Sequence, residues 1–354
     1  MIRSAAIALG ALLGVVAGME DAVAAPCSAE KRAEILAPAT ADRSAVRLDC
    51  DLTLASGERV TKRLQIVGRS GIGVRLICEG GVIGDRGKGT VNYRKDMISI
   101  RSRQDDRGRW QVVRDVLIDG CEVNGAIRIQ GLGPHGQAGK VKASSRTADH
   151  TSHAQSVAPS NVVLRNLRIT GDGRIPVYFS PGVTRSKLLN SRVGGTSASS
   201  GVYLDAESAG NEIRGNVFSV RGPREILSID GSARNVVSGN VFDGANTGGV
   251  YVYRNCGEGG TARHQKPEFN EISGNTFRYS GSRARPTIWL GYSSLERNLF
   301  LCPQDRGIGF GSGVDDRDFA DRNTVTGNTF VGGSPARLIR DDGANNRIGN
   351  NNGG

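Results

Sequence analysis

The sequence predicts an all-β solenoid, and three observations carry that prediction. The first is a repeated phrase, Gly-Asn-x-Phe, found as Gly215-Asn216-Val217-Phe218, Gly239-Asn240-Val241-Phe242, Gly274-Asn275-Thr276-Phe277 and Gly327-Asn328-Thr329-Phe330, with a worn copy at Gly349-Asn350. Looser copies stand earlier, at Asn166-Leu167-Arg168-Ile169 and Asn190-Ser191-Arg192-Val193. The second is the period: from Asn166 to Asn240 the asparagines lie 24, 26 and 24 residues apart, and insertions then stretch the spacing to 35 and 53. A fixed period of this size marks a stack of units, each burying its apolar face only against its neighbours. The third is alternation. Val202-Tyr203-Leu204, Val250-Tyr251-Val252 and Ile288-Trp289-Leu290 are short, β-branched and without helical period, which reads as strand.

Gly and Asn between these runs permit the left-handed backbone of tight corners. Stacking places equivalent side chains one strand spacing apart, about 4.8 Å, where amides hydrogen-bond along the column. Asn190, Asn216, Asn240, Asn275 and Asn328 are expected in one such column, with the Phe or Val two places on stacked inside. On this repeat pattern the chain resembles the right-handed parallel β-helix proteins of the pectate-lyase-like superfamily, over nearly everything after residue 24. The resemblance implies a single-stranded right-handed parallel β-helix acting on polysaccharide. It does not choose a reaction: the Asp-Pro-His-Asp signature of the mannuronan epimerases and the Asn-Thr-Asp signature of the polygalacturonases are both missing. Some periplasmic β-helix accessory proteins serve copper-enzyme maturation, but three Met and four His make a copper role weak here.

Taken in order, residues 1–24 read as a cleavable export signal. Arg3 is followed by an apolar segment from Ile7 to Val16 and a small-residue site at Ala22-Val23-Ala24, too short a run for a membrane span. The expected location is the periplasm or outside the cell, with residues 25–354 as one domain. Losing residues 1–24 removes Arg3, Glu20 and Asp21, so the formal charge rises from +11 to +12. Such a surface favours a polyanionic partner; export makes an acidic polysaccharide a better fit than nucleic acid. Six cysteines in an exported chain imply disulfides, with 15 possible pairings. Sequence order suggests Cys27–Cys50, Cys78–Cys121 and Cys256–Cys302, the last joining two insertions.

Residues 28–37 are expected to form a short capping helix that covers the first strand edges. Strand-like runs follow at Val46–Leu54, Arg63–Val67, Val74–Cys78, Met97–Arg101, Val112–Ile118 and Ala126–Ile129. The pattern then dissolves between 131 and 160, a stretch too long for a corner that holds His135, His150 and His153 and reads as a solvated loop. Further insertions are expected near 254–270 and 300–322.

On a solenoid, chemistry belongs to outward side chains of neighbouring strands and to the loops beside them. Asp205, Glu207, Glu225 and Asp230 fall on adjacent coils, where clustered carboxylates can divide into acid and base or hold calcium. The next coil and its insertion concentrate Tyr253, Arg254, Glu258, Arg263, His264 and Gln265. The arginines suit bidentate binding of carboxylate or sulfate, and His264 or Tyr253 can move protons. Tyr203, Tyr251 and Trp289 are expected to face outward in one exposed column for sugar rings, with Asp316 and Arg317 reaching the same groove. Two enzyme readings follow, a polysaccharide lyase and a glycoside hydrolase acting on an acidic extracellular or envelope glycan. The alternative is a non-catalytic carbohydrate-binding or envelope-assembly protein, and an ion-pair ladder is the structural counter-reading of the acidic and basic residues.

Overall fold

The computed structural model describes residues 24–41, 44–85, 96–280, 286–292 and 302–354, with the side chains of Cys302 and Pro303 left aside. Among these residues the strands form three parallel sheets of ten strands each, and a two-stranded hairpin stands apart at residues 103–111. Each sheet takes one strand from every coil. The first collects Ala45–Arg47, Arg63–Val67, Asp96–Arg101, Ala126–Gln130, Val177–Phe179, Val202–Leu204, Leu227–Asp230, Val250–Tyr253, Ile288–Leu290 and Ile339–Asp341. This is the expected right-handed solenoid.

Two side-chain ladders hold the corners. Asn240 Oδ1 accepts from the Asn216 backbone N–H and side-chain amide, each at 2.9 Å, and the pattern passes on through Asn275, Asn328 and Asn351. A second ladder runs through Asn211, Asn235, Asn270, Asn323 and Asn346. Each amide satisfies backbone groups that a buried corner would otherwise strand. Beside the first ladder the rings of Phe218, Phe242, Phe277 and Phe330 stack inside, with centroids 5.1, 4.8 and 5.2 Å apart.

Asn190 departs from the expected column. Ser191, not Asn190, donates its backbone N–H to Asn216 Oδ1, so the ladder begins one residue later. Asn190 has φ 48° and Asn166 φ 55°, at the left-handed corner where later coils use Gly215 and Gly239. Asn tolerates that conformation better than most residues, so one amide marks two different positions in early and late coils.

The N-terminal helix spans Ala29–Leu36, capped by Ser28, whose hydroxyl accepts from the Lys31 N–H, and it buries Ile35. The strand expected over Val112–Ile118 is shorter and later, at Leu117–Asp119, because Trp110–Gln111 closes the hairpin instead. Cys27–Cys50 and Cys78–Cys121 are disulfides as expected. Cys256 is also disulfide-bonded, while the Cys302 side chain lies outside the description. Residues 1–23 lie outside it too. No helix among the described residues is long and apolar enough to cross a membrane.

Candidate functional site beneath the loop roof

The first sheet supplies two outward columns. One runs Arg47, Gln65, Ser99, Arg128, Tyr178, Tyr203, Ser228, Tyr251, Trp289 and Arg340, fixed strand by strand by the pairing register. The other, two residues further along each strand, contains Arg101, Gln130, Asp205, Asp230 and Tyr253. Asp205 and Asp230 directly follow the paired residues Leu204 and Ile229, so they occupy equivalent places on consecutive coils, about 4.8 Å apart along the stack.

The expected open groove is roofed. Tyr203 is 9% exposed, Tyr251 0% and Trp289 7%; alternation points these rings away from the core, and neighbouring side chains cover them, Tyr178 beside Tyr203, Tyr292 beside Tyr251 and Trp289, and Arg340 over Trp289. Tyr251, Tyr253, Trp289 and Tyr292 form a separate buried aromatic cluster. Residues 131–160 are not a solvated loop. They contain helices Gly139–Ser144 and His150–Val157 and their own apolar cluster of Leu132, Val141, Ala154 and Val157. His150 is 1% exposed, whereas His135 faces solvent.

Under this roof lies a tyrosine–carboxylate–arginine array. Tyr178 donates to Asp205 Oδ2 at 2.7 Å, and one coil on, Tyr203 donates to Asp230 Oδ2 at 2.8 Å. Asp205 also accepts from the Ala206 N–H at 2.8 Å, and Asp230 from the Asn255 N–H at 2.8 Å. Tyr253 lies 3.4 Å from the Tyr203 hydroxyl and accepts from Arg224, which also pairs with Glu225. Arg263 is 1% exposed, with Nη1 3.8 Å from Asp205 Oδ1. Among the described residues its Nε and Nη1 have no hydrogen-bond partner, and Gly136 of the roof packs so close that an added Cβ would sit 2.0 Å from Nη1.

Burial pushes the Asp230 carboxyl above the ordinary carboxylate range, and the charge of Asp205 adds to that, while Arg263 opposes it. Burial likewise raises Tyr178 and Tyr203, helped by Asp205 and Asp230 respectively. The tyrosines are therefore neutral donors. Burial works against the charge on Arg263, but the two aspartates hold its proton firmly.

Glu207 and His264 belong to the roof's fastening. Glu207 adopts φ 61°, a left-handed conformation uncommon for a residue with a Cβ. Its carboxylate accepts from the Thr151 hydroxyl and from the backbone N–H groups of His264 and Gln265. Burial raises its pKa. His264 Nε2 meets the Ser145 carbonyl at 2.8 Å, its ring lies 4.9 Å from His150, and the Gln155 amide donates to Gln265 Oε1. Gln137 donates to Glu258 at 2.9 Å.

Arg254 turns toward residues 305–319. Its guanidinium donates to the carbonyls of Asp315 and Arg317, and its backbone N–H donates to Asp318. Arg317 pairs with Asp315 on the surface, and Asp316 is half-buried; no contact joins either to the aspartate pair among the described residues. Glu225 is buried against Ser228 and reaches the array through Arg224 and Tyr253. Among the described residues no group of three or more His, Cys, Asp or Glu is arranged to hold a metal ion. Tyr178, Arg128, Arg224 and Tyr292 were missing from the sequence-based set. Tyr178 was legible, because Val177-Tyr178-Phe179 repeats the pattern of Val202-Tyr203-Leu204.

Several solved structures are similar to this chain at low identity. An alginate lyase from Paenibacillus sp. str. FPU-7 is 16% identical over 86% of this chain and 91% of its own, with a TM-score of 0.45. A double-mutant tailspike protein of E. coli bacteriophage HK620 is 14% identical over 86% and 52%, with a TM-score of 0.46. The Streptococcus pneumoniae surface adhesin PfbA is 14% identical over 87% and 81%, with a TM-score of 0.43. At such identities nothing about activity passes from these proteins to this chain. No curated protein matches its sequence. The model of the family described as "Right handed beta helix region" matches residues 105–288; that is more than half of the 354 residues, and the chain belongs to this family.

Proposed function

We propose that the protein is an exported β-helix enzyme that hydrolyses an acidic polysaccharide, using Asp230 as acid and Asp205 as its partner. The observation that carries this reading is Arg263: it is buried, 3.8 Å from Asp205 and within the field of Asp230, and its Nε and Nη1 lack a hydrogen bond among the described residues. An unpaired buried donor costs about 1–3 kcal/mol, an expense that makes sense where a ligand completes the site. A guanidinium fork matches a carboxylate or sulfate, so an acidic substituent on the sugar is the natural occupant.

Two neighbouring carboxyls in unlike surroundings form an acid–base pair. Asp230, pushed up by burial, protonates the leaving oxygen. Asp205, with two donors and Arg263 around it, acts on the anomeric carbon or on its attacking water. Entry requires the roof to lift. Its fastenings at Glu207, Gln265 and Glu258 are hydrogen bonds, which water can replace at small net cost, and lifting also parts its apolar cluster from Trp110 of the hairpin. Disulfides at Cys27–Cys50 and Cys78–Cys121 support an oxidising, extracytosolic setting.

The complete closure over the pair favours a second reading, glycan binding without cleavage. Incubating the protein with acidic and neutral glycans separates the outcomes. New reducing ends that disappear in Asp230→Asn support the hydrolase. Unsaturated ends indicate a lyase, and binding without products indicates an adaptor.

A further inference from the structure

We propose that the first three coils carry a docking trough for an anionic polysaccharide chain, separate from the roofed aspartate pair. The first sheet does not end at the roof. Its face continues toward the N-terminus, where Arg47 is exposed and Arg63 and Arg101 are half-buried, one arginine on each of three consecutive strands. Arg103 follows at the start of the hairpin and is exposed. Among the described residues none of these four makes an ion pair. Arg63 donates its Nε–H to the Asp96 carbonyl at 2.9 Å, which leaves its charge uncompensated. Arg101 loses proton affinity to burial and to the like charges of Arg47, Arg103 and Arg63. Such repulsion is relieved when an anion is laid among the guanidinium groups.

The trough has a built end. Arg103 packs against the turn at Gly68, where an added Cβ would lie 3.2 Å from its Cγ and Nε. Beside that contact, between turn and hairpin, a cavity of about 370 Å³ is lined by Arg69, Arg109, Trp110 and Arg114. Arg109 is paired with Asp105 at 3.0 Å and Arg114 with Asp115 at 3.4 Å, whereas Arg69 makes no ion pair among the described residues. The Trp110 indole offers the cavity an apolar face, and amphipathic rings of this kind suit a sugar.

The arrangement selects the polymer. Cations on three consecutive strands, with Arg63 two residues behind and Arg101 two residues ahead of the Arg47 register position, suit a flexible chain with repeated charges. A single-stranded nucleic acid needs several aromatic platforms, and Trp110 is the one aromatic side chain lining this cavity. Among the described residues the exposed large apolar side chains, Phe269, Val314, Val331 and Ile348, lie on later coils and loops, away from the trough. The inference rests on the glycan reading only for the class of polymer; it assigns where the chain is held.

The test is binding of polygalacturonate, dextran sulfate, uncharged dextran and single-stranded DNA to wild type, Arg47→Ala/Arg101→Ala/Arg103→Ala and Asp230→Asn. Wild type and Asp230→Asn should bind at least one of the two acidic glycans, more weakly as salt rises, and ignore dextran. The triple variant should bind roughly ten-fold or more weakly with an unchanged or higher melting temperature, because like charges are gone. Equal binding by the triple variant, binding of dextran, preference for DNA, or no binding of either acidic glycan overturns the trough. If the trough binds as expected but wild type cleaves nothing, the hydrolase reading alone fails. If cleavage depends on Asp230 but the triple variant binds normally, the trough alone fails.

Discussion

Replacing Asp230 by Asn separates catalysis from scaffolding. The carboxylate accepts two hydrogen bonds, from Asn255 N–H and Tyr203 O–H, each at 2.8 Å. The amide keeps an oxygen for Asn255 and presents its NH2 to the Tyr203 oxygen, which can accept it. The Tyr203 proton then turns to the Tyr253 hydroxyl, which gives up its own long donation to Tyr203 at 3.4 Å. Only that weak bond is lost. The electrostatics favour the variant as well. Burial raises the folded-state pKa of Asp230, so the stability it contributes is present below the ordinary carboxylate pKa and lost as pH rises through the folded value. At neutral pH its ionised form is a liability, and a neutral amide removes it. Arg263 loses one counter-charge but keeps Asp205 at 3.8 Å. The expected result is an unchanged or higher melting temperature with turnover reduced about 100-fold or more, the usual scale for a lost proton donor. The assay pairs thermal melting with release of reducing ends from an acidic glycan. An ion-pair ladder predicts the reverse: breaking a buried pair costs about 3–5 kcal/mol, a fall of roughly 6 °C or more at about 2–4 °C per kcal/mol. Normal cleavage, or a fall of that size, would refute the assignment.

Three further outcomes are expected. Asn240→Ala removes the acceptor of the Asn216 N–H and the donor to the Ile213 carbonyl; two buried groups at about 1–3 kcal/mol each should lower the unfolding free energy from urea titration by roughly 2 kcal/mol or more, and a neutral result would deny the ladder its role. Gly136→Ala forces a methyl group against Arg263, so it should loosen the roof, raising amide exchange over residues 131–160 while the Asn ladders stay protected; unchanged exchange would mean that Gly136 does not seat the roof. His150 is pushed down to about 3, first by burial and then by His264 and Arg263. A depressed folded pKa means stability present above about pH 6.5 and lost as pH falls toward 3, up to about 1.4 kcal/mol per unit. Wild type should therefore lose more stability than His150→Gln between pH 7.5 and 5, read as the difference of their denaturation curves; parallel losses would refute it.

The sequence by itself determined the coil. Gly-Asn-x-Phe states corner and core together: a left-handed residue, an amide that bonds to the next coil, and a ring two places on that must point inward. Strand alternation is equally local, so the outward sense of Tyr203 and Trp289 and the nearness of Asp205 to Asp230 were legible too. The offset of Asn190 was not, because Asn serves both the left-handed corner and the ladder, and only the backbone pairing of Ser191 with Asn216 distinguishes them. Whether the outward face meets water was decided by tertiary structure alone. Alternation says that a side chain leaves the core, and nothing about what returns to cover it. The roof is fastened by pairs such as Thr151 with Glu207 and Gln137 with Glu258, 56 and 121 residues apart. The insertion at 131–160 carries no repeat that could announce those partners. Hydrogen bonds between distant aperiodic segments depend on where the rigid coils hold their ends, and that is a property of the folded stack.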